Sequence, residues 1–452
     1  MPHHDLLIIG TGSGNSILTP DFDDRDVAIV ERDTFGGTCL NRGCIPSKMF
    51  IYAADVAYEA GHSAHLGVDT QYNGVDWIAV RDRVFGRIDP IAEGGRTYRK
   101  SLDNITVYEG DARFTGHKQL AVGDELVTAN HVVLAAGARP MIPDTAGLAD
   151  VGFHTSDTIM RVDAVPERLL VIGGGFIACE LSHVFGSFGA HVTMIARGSA
   201  LLRAQDDDLS MRYTQIASER FAVHTETHVV AARRVGNEIE LDLLTDGMRH
   251  CVRGDMLLVA TGRIPNGNQL GVGITGVALD EAGYVTTDPY LRTNVEGIWA
   301  LGDICHANQL KHAANADARI VAHNLANADD LRAVDRRFLP HAVFGHPQVA
   351  SVGLTERALE RNATPYVMSR SDYASAAYGW AMEDTTSFVK LLAHRDTRQL
   401  LGAHIIGPQA STLIQQLIQG MRFGQTVDQM ARDQYYIHPA LTEEVEQALL
   451  DL

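Results

Sequence analysis

The chain has 452 residues, 45% of them hydrophobic and 21% charged, with a net charge of -18. The length exceeds one ordinary domain, the composition suits a packed core, and the acidic balance argues against a nucleic-acid or anionic-membrane surface. No apolar run reaches the roughly 18 residues of a membrane span, MPHHDLLIIGTGSG lacks a basic leader and a cleavage pattern, and five cysteines are too few for a disulfide scaffold, so a cytoplasmic location is expected.

DLLIIG (5–10) is a short apolar strand ending in glycine, and GTGSGN (10–15) follows it. A short helix-like segment comes next, then a second buried strand, DVAIVE (26–31). Strand, glycine-rich turn, helix and strand with a terminal acid form the pattern of a dinucleotide site. Gly10, Gly12 and Gly14 let the backbone approach a pyrophosphate at a helix N-terminus, and Glu31 takes the ribose hydroxyls. The spacing departs from the full pattern, because Asn15 holds the sixth position and Gly14 stands one place early.

GGTCLNRGCIPSK (36–48) places Cys39 and Cys44 with four residues between them, ahead of the helical KMFIYAADVAYEA. Zinc asks for about four ligands, and no second Cys or His pair lies near. A structural disulfide here would close a very small loop and constrain the unfolded chain little. Thioredoxin-type chemistry uses CxxC, which is not this spacing. On an ideal helix, positions five apart are separated by about 7.5 Å along the axis. A disulfide wants its α-carbons within about 7 Å. An oxidised pair therefore requires a distorted helical turn and is easily reduced, with Gly43 giving backbone latitude and Pro46 tolerated in a first turn. A redox-active pair fits these residues better than a metal site or a structural bridge.

HVVLAAGARP (131–140) is a strand and turn that could end the first nucleotide unit. The pattern then returns: RLLVIGGGFIACE (168–180) runs into Gly173, Gly174, Gly175 and Phe176, and HVTMIAR (191–197) is the next strand. DMLLVATGRIPN (255–266) mirrors the earlier strand and turn, and GIWALGDI (297–304) ends in Gly302-Asp303. Two dinucleotide units in one chain suggest a flavin and a nicotinamide exchanging electrons. From about Phe338 the character changes to a mixed α/β unit, with AVFGHPQVASVGLTE and FVKLLAH as strands and LIQQLIQGMRFG (413–424) and EEVEQALLDL as helices.

These motifs, in this order and over almost the whole length, resemble the class I flavoprotein disulfide reductases, the glutathione reductase-like pyridine nucleotide-disulfide oxidoreductases. The resemblance implies an α/β fold with two Rossmann-like dinucleotide-binding domains and a C-terminal α+β dimerisation domain. It implies an FAD-binding part over 1–150, an NADPH-binding domain over 151–266, a central FAD-associated part over 267–335 and the dimerisation domain over 336–452. It implies that Cys44 is the charge-transfer thiolate beside the flavin and Cys39 the interchange thiol. Lys48 is the lysine near flavin N5, and Glu180 its acidic partner. In HPALTEE (438–444), His438 is the acid–base and Glu443 holds its imidazole, serving the active site of the other subunit of a homodimer. An imidazole suits that task because it titrates near neutral pH. The cofactor-binding set is Gly10, Gly12, Gly14, Glu31, Thr38, Lys48, Gly137 and Asp303, together with Gly173, Gly175, Phe176, Arg197, Arg203 and Gly262. No metal is expected.

Arg197 and Arg203 stand where an NAD site usually carries an acid, and arginines accommodate a 2′-phosphate, so NADPH is the expected donor. Many NADPH-using relatives have a gating tyrosine where this chain has Phe176. The tail lacks the extra cysteine pair of some family branches. SILTPDFDDRD offers acids where glutathione-reducing members hold arginines. GTGSGNSIL, CIPSKMF, RVFGRIDPIA, HTSDTIMR and YGWAMED resemble the branch that reduces mycothione, a disulfide without free carboxylates. Reduction of lipoamide or glutathione disulfide is the alternative. A competing class is a flavoprotein that serves as a subunit of a larger assembly. Cys179, Cys251 and Cys305 are expected to be small buried hydrophobes.

Overall fold

In the first strand, Leu7 and Ile9 join one apolar cluster while Leu6 and Ile8 join another, and Ala28 and Val30 separate from Val27 and Ile29 in the same way. Both faces of these strands are covered, which is the condition under which a parallel sheet is stable. The computed structural model describes all 452 residues. Its internal contacts divide the chain into two units, one formed by 1–47, 79–141 and 262–336, the other by 48–78, 142–261 and 337–452.

The first unit is built on a seven-stranded sheet. His3–Ile9 lies between Val27–Glu31 and Glu125–Leu134, parallel to both. Ile105–Glu109 extends the parallel set on one side and Ile298–Ala300 on the other. The hairpin Ala112–Gly116 and Gln119–Val122 joins the early part of Glu125–Leu134 in antiparallel register. Helix Lys311–Ala326 covers one face through Ala318, Val321 and Ala322. The helix expected after the glycine-rich turn is instead two 3-10 turns, Ser13–Ile17 and Pro20–Phe22. Pro20 cannot donate to a preceding turn, and in the short acidic stretch behind it only Phe22 is buried, too little for an amphipathic helix.

The second unit holds three sheets. Ala222–His224, His191–Ile195, Arg168–Ile172 and Met256–Val259 form a four-stranded parallel sheet in that order. Thr227–Val235, Glu238–Thr245 and Met248–Gly254 form an antiparallel meander. The third sheet is antiparallel, in the order His341–Val343, Val349–Gly353, Leu400–Ile406, Phe388–His394 and Tyr366–Asp372. Helices Ala410–Arg422 and Thr442–Leu450 cover it. Leu413, Ile414 and Leu417 from one, and Val445, Ala448 and Leu449 from the other, pack with Val389, Leu391 and Ile405. The fold class is thus α/β, with two nucleotide-type parallel sheets and a C-terminal α+β region.

Candidate functional site

The redox stretch is two helices with a break between them. Cys39 sits in the short helix Gly37–Asn41, and Cys44 opens helix Cys44–His62. Arg42 leaves helical geometry at φ -152° and ψ 20°, although its N–H still donates to the Thr38 carbonyl. A Cβ on Gly43 would meet that same carbonyl oxygen at 2.9 Å, so the break closes only around glycine. The turn between the two cysteines is thus distorted at Arg42, where the helix is interrupted. Asn41, which the sequence reading passed over, fastens the short helix. Its buried Nδ2 donates to the carbonyls of Thr34, Phe35 and Gly37 at 3.2, 2.8 and 3.1 Å.

Both sulfurs are thiols, Cys39 half-buried and Cys44 exposed. Hydrogen bonding to Cys44, reinforced by burial and by the charge of Cys44, pushes the Cys39 thiol far up, against the opposing charge of Lys311.

The sheet topology gathers the glycine-rich turn, Glu31 and Asp303 at the carboxyl ends of the parallel strands, where open α/β sheets bind ligands. Gly10 (φ +104°) follows the first strand, and a Cβ there would meet the Ala135 carbonyl oxygen at 2.5 Å. A Cβ on Gly37 would lie 2.8 Å from the Gly12 α-carbon, so the glycine-rich turn and the redox stretch touch backbone to backbone. Thr11 stitches them: its N–H and hydroxyl donate to Glu31 Oε2 at 2.9 and 2.6 Å, and its Oγ1 accepts from the Gly36 N–H at 3.0 Å. Glu31 Oε1 accepts from the Asp33 N–H at 3.0 Å. Thr38 lies in the Cys39 helix, and Gly14 in the turn after Gly12. Gly137 precedes strand Ala138–Pro140, which pairs with Arg263–Pro265 just after Gly262.

A Cβ direction at Gly12 meets only the Gly37 α-carbon, at 3.9 Å, which leaves backbone-lined room. Asp303 lies in the turn after Ile298–Ala300, at the carboxyl end of the parallel strands. Burial raises its carboxyl, against the charges of Arg263 and Lys311. A glycine-lined turn and a carboxylate at the ends of one parallel set fit a ligand that carries both a diphosphate and hydroxyl groups, as FAD does.

In the second unit, Lys48 Nζ donates to Glu180 Oε2 at 2.6 Å, with side-chain exposures of 35% and 4%. Lys48 is one turn beyond Cys44 on the same helix. Phe344, another residue missed in the sequence, completes this pair. Its N–H donates to Glu180 Oε1 at 2.9 Å, and its ring centroid lies 4.7 Å from Lys48 Nζ. No local signal marks a phenylalanine for that place.

His438 Nδ1 and Glu443 Oε1 are 2.6 Å apart, and Glu443 Oε2 accepts from the Ala440 N–H at 3.1 Å. The hydrogen bond from His438 holds Glu443 below the usual carboxylate range, outweighing its slight burial. The engaged nitrogen is Nδ1, so Nε2 of this exposed ring is left for another group.

The second glycine turn repeats the first. Gly173 (φ +139°) approaches the Ala260 carbonyl as Gly10 approaches Ala135. Gly175 caps helix Phe176–Ser187, whose first residue, Phe176, is exposed. Strand His191–Ile195 ends two residues before Arg197, which therefore stands in the following loop and not at the strand end. The Arg203 side chain lies across Gly198 in the same loop. Both arginines are exposed, and no carboxylate pairs with either.

The structure thus gathers Cys39 and Cys44 with Gly10, Gly12, Gly14, Glu31 and Asp303. It pairs Lys48 with Glu180 and His438 with Glu443, and sets Arg197 and Arg203 on one loop. One cysteine expectation fails: Cys179 is buried and Cys305 partly so, but Cys251 is exposed. It lies on the outer strand Met248–Gly254 of the meander, where only one neighbour covers the backbone.

Residues 4–319 match the family profile described as pyridine nucleotide-disulphide oxidoreductase, and residues 339–449 match its dimerisation domain. The chain is 47% identical to the mycothione reductase of Mycobacterium tuberculosis H37Rv, over the full length of both. It is 31% identical to a dihydrolipoyl dehydrogenase of Haloferax volcanii, covering 98% of this chain and 95% of the relative. Among solved structures, the Cu(II) complex of the HOCl-induced flavoprotein disulfide reductase RclA from Escherichia coli superposes with a TM-score of 0.88 at 24% identity, over the full length of both chains, a likeness of fold. No helix is long and apolar enough to cross a membrane. By profile, identity and fold together, the chain belongs to the pyridine nucleotide-disulphide oxidoreductases, a family of FAD-binding enzymes that use NAD(P)H.

Proposed function

We propose that this chain is an NADPH-dependent reductase of mycothione, the disulfide of mycothiol, working as a cytoplasmic homodimer. The observation that carries the disulfide chemistry is the hydrogen-bonded thiol pair Cys39 and Cys44, set at a helix break beside a glycine-lined cradle. FAD, held by Gly10, Gly12, Gly14, Glu31, Thr38, Gly137 and Asp303, supplies two-electron transfer between the nicotinamide and the disulfide. Lys48, fixed by Glu180 and Phe344, presents a positive charge one turn beyond Cys44. Gly173, Gly175 and Phe176 accommodate the nicotinamide nucleotide, and Arg197 and Arg203 take the 2′-phosphate that distinguishes NADPH.

Cys39, once ionised, attacks one sulfur of the substrate. The S–S bond breaks, a mixed disulfide forms on Cys39, and the first mycothiol leaves as a thiolate. The partner subunit's His438, oriented through its Glu443, gives that thiolate a proton. Cys44 then attacks Cys39, releasing the second mycothiol and leaving the Cys39–Cys44 disulfide, which two electrons from NADPH reduce again.

The choice of disulfide follows the 47% identity with the M. tuberculosis enzyme. Charge agrees with it: Asp21, Asp23 and Asp24 are exposed behind the glycine-rich turn, a poor surface for the carboxylates of glutathione disulfide. The test is NADPH oxidation by the purified holoenzyme with mycothione, glutathione disulfide and lipoamide as separate acceptors. Turnover on mycothione alone is expected. Turnover on lipoamide alone, or on no free disulfide, overturns the substrate assignment.

A further inference from the structure

Lys311 opens helix Lys311–Ala326, where its cation meets the positive end of the helix dipole. Position alone disfavours a lysine there, and its hydrogen-bond partner is neutral: Nζ donates to Ser13 Oγ at 2.8 Å, and that hydroxyl donates to Asn315 Oδ1 at 3.0 Å. Ser13 belongs to the glycine-rich turn. That turn abuts Gly37 through Gly12, and Gly37 stands two residues before Cys39 in the same short helix. The lysine is therefore pinned to backbone that touches the redox stretch.

We propose that Lys311 is a positioning residue of the redox site: held on Ser13, its ammonium sets how readily the Cys39 thiol ionises. Two groups of the site feel its charge. It opposes the upward push that Cys44 and burial exert on Cys39, and together with Arg263 it opposes the burial of Asp303, to which Asp317 adds a further upward push. The titratable groups bearing on Cys39 and Lys311 are thus Cys44 and Asp303; the glycine-rich turn contributes only the neutral Ser13 between them. A thiol whose proton is held by a neighbouring sulfur attacks slowly unless a cation favours its anion.

This inference rests on Cys39 being the attacking thiol, but its test reads the thiol and not the substrate. The FAD-loaded enzyme is reduced and treated with iodoacetamide between pH 6 and 9, and alkylation of Cys39 is followed by peptide mass. In Lys311→Met alkylation of Cys39 is expected to slow about tenfold across this range, the equivalent of about one pH unit. Lys311→Arg keeps the charge and should stay within about threefold of the parent. An unchanged profile in Lys311→Met overturns the proposal. So does an Arg variant as slow as the Met variant, because shape and not charge would then be responsible. If Lys311→Met loses its flavin or its fold, Lys311→Gln, which can still donate to Ser13, makes the same comparison. Failure of the parent enzyme to turn over mycothione, with the alkylation shift still present in Lys311→Met, would count against the substrate assignment and leave this proposal standing.

Discussion

Replacing Lys390 by methionine tests the electrostatics of the second unit. Lys390 lies in strand Phe388–His394, and its side chain is 1% exposed. Its ammonium donates to Asp206 at 2.8 Å and to Asp208 and Glu356 at 2.6 Å each. The three carboxylates differ in their access to water: Asp206 is 1% exposed, Asp208 35% and Glu356 28%. In Lys390→Met the outer two can turn towards solvent, whereas Asp206 cannot. It keeps only the N–H groups of Asp208 and Glu356, at 3.3 and 3.0 Å. One buried carboxylate stripped of its counter-ion costs about 3–5 kcal/mol, or roughly 6–15 °C of Tm for a unit of this size.

The pH dependence separates this cause from lost packing. In the parent, burial pushes Asp206 up, but the hydrogen bonds from Lys390 and from the Glu356 N–H outweigh it and leave the group below its usual value. A depressed carboxylate adds stability above the unfolded-state pKa, and that stability is lost as pH falls through the folded value. Without Lys390 the sign reverses: Asp206 rises above its usual value, destabilises the fold near neutral pH, and is relieved as acid protonates it. The Tm difference between parent and variant, measured on flavin-loaded protein, should therefore be largest near pH 7.5 and shrink by pH 5. A loss below about 3 °C, or an equal loss at both pH values, would refute the reasoning.

Three further outcomes follow from the site geometry. Gly37→Ala places a Cβ 2.8 Å from the Gly12 α-carbon at a φ of +65°. It should cost at least about 1–2 kcal/mol of backbone strain and yield protein with substoichiometric flavin by absorbance; full flavin content would contradict the backbone contact. Arg197→Glu and Arg203→Glu should each raise the KM for NADPH about 10- to 100-fold, the range of one charge-assisted hydrogen bond, while NADH is used no worse; equal effects on both nucleotides would remove the 2′-phosphate role. His438→Ala should lower kcat about 10²- to 10⁴-fold with unchanged flavin reduction by NADPH in stopped flow, whereas equal loss in both half-reactions would make the residue structural.

Local chemistry accounts for what was legible beforehand. Apolar runs such as LLIIG and LLVIGGG must become buried strands, because nothing in them tolerates water, and the glycines after them follow from the tight turn into a nucleotide site. The Cys39 and Cys44 spacing stood out for the same reason, whereas HPALTEE stood out only through its resemblance to the family.

What the tertiary structure decided are the partnerships between distant segments. Amino-acid order does not say that Phe344 supplies both an N–H and a ring to the Lys48–Glu180 pair, or that Lys311 crosses to Ser13, 298 positions away. Nor does it say that Asn41 fastens the redox helix with three bonds, or that a lone lysine in FVKLLAH is buried under three acids. Hydrophobic period and turn chemistry act over a few residues and can be read along the chain. Side-chain electrostatics act through space, so their partners are settled only when the sheets have brought separate strand ends and helix starts to one place.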